Sequence, residues 1–206
     1  MGTHERRSRA KEELRRKILD AATVLFIEQG YENVSMRKIA DRIEYAASTI
    51  YLHFRDKVEL VAAICWEAFS ELDHSLDAII GQGLPPMETL RSCLREYIQF
   101  GLDHPSYYVF VFGTPESIFK GIEAGSHQAI YGCGMGSFQR LRAGIRTCME
   151  SGGIPPGDVE SIAQSTWLLT HGVTSGLVVN ASFPFIDRKR LINESLDRIL
   201  RGIALS

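Results

Sequence analysis

The stretch SMRKIADRIEYAASTIYLHFRDK, residues 35–57, decides how the rest of the chain is read. It holds two short helical patterns close together. Ser35 is placed to cap the first, whose inward-facing set is Ile39, Ala40 and Ile43. A break follows at Glu44, Tyr45 and Ala46. The second pattern, residues 47–54, turns Ile50 and Phe54 inward at i, i+4 spacing. Thr49 and His53 then share another face, and Tyr51 projects to one side. A short helix with an apolar back and a hydroxyl, phenol and imidazole front suits docking on nucleic acid. That is a helix-turn-helix reading, with the second helix as the reader. Periodicity alone leaves open an ordinary helical hairpin whose polar face is only solvated.

Outward from this stretch the chain reads as further helices. Residues 1–10, MGTHERRSRA, are polar and Arg-rich with no apolar face, and are expected to form a flexible basic arm. Arg6, Arg7 and Arg9 could follow phosphates or enter a minor groove there; a solvated tail is the alternative. Leu14, Ile18, Ala22, Leu25 and Phe26 form one stripe of a helix over residues 11–29, which Gly30 ends. Leu25, Phe26, Val34, Ile39, Ile43, Ile50 and Phe54 would share a small core. Asp56 with Glu59 three positions later is an Asp variant of the capping box. It opens a helix over residues 57–80, with Val61, Ile64, Ala68, Leu72, Leu76 and Ile79 at helical spacing and a length of roughly 36 Å. This helix would link an N-terminal domain, residues 11–56, to a C-terminal one, residues 57–206. Beyond a Gly/Pro loop at 81–86, helices are expected over 87–102, the aromatic patch 106–112, 127–150, 158–181 and 188–203, with residues 113–126 irregular.

The run Ile39-Ala40, then Thr49-Ile50-Tyr51-Leu52-His53-Phe54, then Lys57 and Leu60, resembles the DNA-binding domain of TetR/AcrR-family transcriptional regulators. The resemblance implies an all-α fold: an N-terminal three-helix helix-turn-helix domain, followed by a helical ligand-binding and dimerisation domain. It implies that Arg37, Thr49 and Tyr51 approach base edges, and that Ser35, Tyr51, His53 and Lys57 meet phosphates. Two positions depart from the family turn: Glu44 stands where Gly is common, and Ala46 where a capping Ser is usual. Either Glu44 adopts a left-handed backbone or the turn differs. Trp167, His171 and Gly172 resemble the Trp-x-x-x-His-Gly signature of a subgroup with a regulatory domain named for those residues, and the stretch 97–112 resembles it too. A cavity lined by Phe100, His104, Tyr108, Phe112, Trp167 and His171 would then bind a small hydrophobic or aromatic effector. For each of these residues ordinary core packing is the alternative. The family plan also implies a homodimer through the last two helices, where Gly172 and Gly176 would permit close helix approach. The partners are then double-stranded operator DNA, an effector and a second copy.

Bulk properties narrow the alternatives. The chain has 206 residues, 45% hydrophobic and 23% charged, ordinary for a globular protein. No apolar run approaches the ~20 residues that span a bilayer, and the charged start lacks a signal-peptide core, so a cytoplasmic location is expected. Residues 1–57 hold 12 Lys+Arg against 9 Asp+Glu, or +3; the remainder hold 11 against 16, or −5, giving the −2 of the whole. One end of the chain is thus suited to a polyanion. Cys65, Cys93, Cys133 and Cys148 form no C-x-x-C pair and read as small buried hydrophobes. The six His show no ligand spacing, so no metal and no cofactor are expected. Gly132-x-Gly134-x-Gly136 follows no strand and reads as loosening or kinking a helix rather than holding a dinucleotide. No nucleophile elbow or P-loop occurs, so an enzyme is not expected. A regulator of the same fold without an effector, and a helical enzyme or carrier, are the competing functions.

Overall fold

The computed structural model describes the backbone of residues 3–113 and 124–204, with side chains for 5–112, 132 and 134–204. Most of the irregular segment expected at 113–126 lies outside the described residues, as does the Cys133 side chain. Among the described residues there are nine α-helices and no strand. They are α1 Thr3–Gln29, α2 Met36–Arg42, α3 Ala47–Tyr51, α4 Lys57–Ile80, α5 Pro86–Asp103, α6 Pro105–Gly113, α7 Ala124–Glu150, α8 Val159–Val179 and α9 Arg188–Ala204. A single 3₁₀ turn, Tyr31–Asn33, joins α1 to α2. No helix among the described residues is long and apolar enough to cross a membrane.

The chain divides into two compact units, Met1–Glu67 with Ser106–Tyr131, and Ala68–Pro105 with Gly132–Ser206. The division falls within α4, Lys57–Ile80. In the first unit, Ile18, Leu19, Ala22, Leu25 and Phe26 of α1 are buried with Val34, Met36, Ile39, Ala40, Ile50 and Phe54. Ile43, expected in this core, is only half-buried. Leu60, Val61 and Ile64 of α4 are buried as well. Helix α6 joins this unit because its aromatic rings have partners there. Phe110 stacks on Phe26 at 5.4 Å between centroids, and the Tyr107 hydroxyl donates to Asp20 at 2.7 Å.

Residues 3–10, expected as a flexible arm, are instead the opening turns of α1, exposed from residue 5 onward. Glu, Arg, Ala and Lys are good helix formers, and neither Gly nor Pro interrupts the run into Ile18 and Leu19, whose burial holds the helix. An apolar face is not needed where a helix is only being extended.

In the second unit, α5 packs on α8, and α9 packs on both. Leu90, Leu94 and Ile98 of α5 share a core with Ile145 and Cys148 of α7, Ala163 and Leu177 of α8, and Leu196 and Leu200 of α9. Arg91 pairs with Asp197, and Arg95 donates to the Asn193 amide oxygen at 2.6 Å, fixing the register of α5 and α9. Two glycines of α7 permit close approach. A Cβ at Gly136 would stand 2.5 Å from the Asp73 carboxylate, and one at Gly134 2.9 Å from the Phe69 ring. There Arg140 donates to both Asp77 oxygens at 2.7 Å and pairs with Asp73 at 2.9 Å.

Candidate nucleic-acid interface and effector site

Helix α2 begins as its sequence demands. Ser35 has extended backbone and its hydroxyl accepts the Lys38 N–H at 3.2 Å. The turn to α3 resolves the two departures noted above. Glu44 adopts φ +62°, the left-handed conformation that a Gly there would take freely. Ala46 occupies the N-cap of α3 with no side-chain hydrogen bond, so the missing Ser is not replaced. Helix α3 is only five residues long, Ala47–Tyr51, and a final turn carries the chain on, His53 and Phe54 N–H both donating to the Ile50 carbonyl.

Burial sorts this segment into a back and a front. Ile50 and Phe54 are 0% and 1% exposed, whereas Tyr51 and Leu52 are 55% and 79% exposed. Thr49 and His53 are half-buried, and Ser35 and Arg37 are exposed on α2 and its cap. The His53 pKa is pushed below its ordinary value by burial and then by the nearby cations Lys11 and Arg15. The ring is therefore neutral near pH 7 and offers a phosphate an N–H rather than a charge. Its Nδ1 is buried without a partner.

Lys57 holds the unit together. Its ammonium donates to the Tyr31 carbonyl at 2.7 Å and to the Val34 carbonyl at 3.0 Å, and stands 3.9 Å from the Tyr31 ring centroid. Burial lowers its pKa. Two of its three N–H groups are thus committed to the 3₁₀ turn. Nothing in the sequence marks this role, because the carbonyls lie more than twenty residues back. The start of α4 is also occupied. Asp56 accepts the Glu59 N–H at 2.8 Å, as in a capping box, while the Glu59 carboxylate accepts the Arg55 N–H at 2.7 Å, one residue before the N-cap.

The six residues read as effector liners fall in both units. In the second, Trp167 stacks on His171 at 5.4 Å, and Phe100 lies on His104 at 4.7 Å. His171 Nδ1 shares a 3.0 Å hydrogen bond with the Tyr97 hydroxyl, and burial lowers its pKa, so it is neutral near pH 7. His104 Nε2 lies 3.5 Å from Glu71. Tyr108 and Phe112 belong to the first unit, where their rings are 4.9 Å apart and Tyr108 is buried. Tyr97 was absent from the residues read as liners; its helix phase gives no hint of a partner 74 positions away. Behind His171, Thr166, Thr170 and Thr174 are buried in a row on α8. The Thr170 and Thr174 hydroxyls bond the carbonyls four residues back, while the Thr166 hydroxyl has no partner.

The family described as "Bacterial regulatory proteins, tetR family" matches residues 18–64, the span from the buried half of α1 into α4 that carries this turn and reader. Over residues 18–64 the chain is thus similar to the TetR family. The repressor KstR of Mycobacterium tuberculosis is 37% identical over 83 residues, 40% of this chain and 38% of that one. The match thus spans less than two fifths of that relative's length. The regulator AcrR of Shigella flexneri is 27% identical over 177 residues, 84% of this chain and 80% of its own. The fold of the whole chain matches FadR from Bacillus subtilis, solved in complex with stearoyl-CoA. The TM-score is 0.76 at 21% identity, covering 91% of this chain and 98% of that one.

Proposed function

We propose that this TetR-family chain is a homodimeric repressor that binds a pseudo-palindromic operator and leaves it when a small hydrophobic or aromatic effector binds. The observation that carries this reading is the reader segment: Tyr51 and Leu52 stand out in solvent on a helix anchored behind by Ile50 and Phe54. Residues 11–56 form the DNA-binding domain. Arg37, Thr49 and Tyr51 read base edges, and Ser35, His53 and Lys57 meet phosphates. Since the Lys57 ammonium is tied to two carbonyls and the Asp56 carboxylate caps α4, the contribution of Lys57 is to fix the reader's height more than to donate freely. In a dimer the two readers enter successive major grooves about 34–36 Å apart. The protein works where the DNA is, in the cytoplasm.

Residues 57–206 form the regulatory and dimerisation domain. Effector binding draws on Phe100, His104, Trp167 and His171 of the second unit, and a neutral His171 beside the Tyr97 hydroxyl suits one polar group on an otherwise apolar molecule. FadR from Bacillus subtilis was solved with stearoyl-CoA, so that acyl thioester belongs in the first screen. Dimerisation uses α8 and α9. Leu168 and Leu169 are exposed on α8, and a Cβ at Gly172 or Gly176 would meet open space, so a partner helix fits there. Fluorescence-anisotropy binding to DNA upstream of its own coding region tests the reading. Thr49→Ala with Tyr51→Ala is expected to abolish discrimination between operator and random duplex, each lost contact costing about 1–3 kcal/mol. Unchanged discrimination in that variant would sink it.

A further inference from the structure

Residues 45–54, YAASTIYLHF, contain no Arg, Lys, Asn, Gln, Asp or Glu. Those are the side chains that tell bases apart by charge or by paired hydrogen bonds. Arg and Lys suit guanine, Asn and Gln suit adenine, and Asp and Glu suit cytosine. The segment that carries α3 has instead hydroxyls, one imidazole and apolar groups with which to meet a duplex. In the major groove one base presents an apolar feature of its own, the C5-methyl of thymine.

Burial decides which apolar group is available to it. Ile50 and Phe54 lie in the core at 0% and 1% exposure. Leu52 is 79% exposed, more than any other large apolar side chain among the described residues. One exposed Leu on a surface is ordinary. This one is grouped with others: Tyr45 and Tyr51 are exposed beside it in sequence, at 42% and 55%. Its support is rigid. Leu52 ends α3 with helical φ −72° and ψ −18°, and its N–H donates to the Thr49 carbonyl at 3.2 Å. The next two N–H groups, of His53 and Phe54, hold the Ile50 carbonyl at 2.9 and 3.0 Å. Ser48, one turn before Leu52, is exposed on the same helix face.

We propose that Leu52 packs on the C5-methyl of a thymine in each half-site that α3 enters, and so specifies thymine at that position. This rests on the DNA-binding reading above, and goes beyond it by naming the base and the group that is read. Among the residues assigned to base edges, Arg37 of α2 then supplies the contact suited to guanine. Leu52 supplies one that no hydrogen bond can replace.

The test uses the full-length protein, an operator recovered by bound-fragment selection, and a random duplex. Thymines of the operator are replaced by deoxyuridine, one symmetric pair at a time, and affinity is read by fluorescence anisotropy. Deoxyuridine lacks the methyl and keeps the same pairing edge. At one pair the wild-type dimer is expected to lose affinity about 16-fold, about fourfold per half-site, the contribution of one buried carbon group. Leu52→Ala is expected to bind the thymine operator more weakly and to show no preference between thymine and uracil at that pair. Its melting temperature stays at the wild-type value, because the side chain removed is exposed and Ala favours helix. On the random duplex the same base change leaves wild-type affinity as it was. Indifference of the wild type to uracil at every pair overturns the proposal. So does a Leu52→Ala variant that keeps the full preference, since another side chain then reads the methyl. If the methyl contact alone is wrong, the wild type still separates operator from random duplex. If the DNA-binding reading is wrong, that separation is absent.

Discussion

Glu44 carries the strain of the reader's turn. Its φ of +62° is a conformation that costs an L-residue roughly 1–2 kcal/mol and Gly almost nothing. Its side chain is exposed, so removing it opens no cavity. Glu44→Gly is therefore expected to stabilise the protein by about 1 kcal/mol, part of the gain being offset by the added freedom of Gly in the unfolded chain. An increase in the urea midpoint with unchanged slope checks this; a decrease would mean that the Glu44 side chain has a role the geometry does not reveal. The sequence already posed the choice at this residue, because a Glu where Gly is usual leaves two backbone solutions. Ser35, Asp56 and the inward set of α2 and α3 were legible for the same reason: caps and periodicity act over three or four residues. The carbonyl bonds of Lys57 were not legible, since Tyr31 and Val34 lie more than twenty residues back.

At the scale of elements, helix lengths follow from local rules. The span of α4 matches the 57–80 read from its capping box and apolar spacing. What periodicity cannot say is against which neighbour an apolar face rests. The patch over α6 was readable as a buried helix, yet its place with α1 depends on Phe110 meeting Phe26, eighty-four positions earlier. The Gly run of α7 likewise made sense only beside Phe69 and Asp73. Helix α8 poses the converse case, glycines whose added Cβ meets no atom within 4 Å among the described residues. A Cβ at Gly172 meets no atom within 4 Å, so Gly172→Leu leaves the protomer's packing intact and improves helix propensity by nearly 1 kcal/mol. If α8 packs against its copy, the same side chain wedges the dimer apart. Sedimentation equilibrium is expected to show a dimer weakened at least tenfold with unchanged helical content. A dimer of wild-type affinity would place the interface elsewhere.

At the scale of the molecule, one helix belongs to both compact units. Helix α4 runs 24 residues with no Gly or Pro inside it, and the division between units falls at Glu67 and Ala68. Its first turn is bound to the reader's unit by the Lys57 ammonium and the Asp56 cap. Its last turns are held to α7 by Arg140 on Asp73 and Asp77. For α4 to act as the link, an effector would have to favour one placement of Lys57 over another. That effect exists only to the extent that the effector binds the two placements unequally. Linkage then fixes a number. Whatever factor the effector takes from operator affinity, the operator must take from effector affinity, and couplings of this kind run about 5–150-fold. The first hydrophobic compound that raises the melting temperature can be titrated by calorimetry onto the free protein and onto the operator complex. The operator can be titrated onto the protein with and without the compound by anisotropy. Equal factors well above one are expected. A compound that binds tightly with a factor of one in both directions would show that α4 transmits nothing, and that release of DNA has another cause.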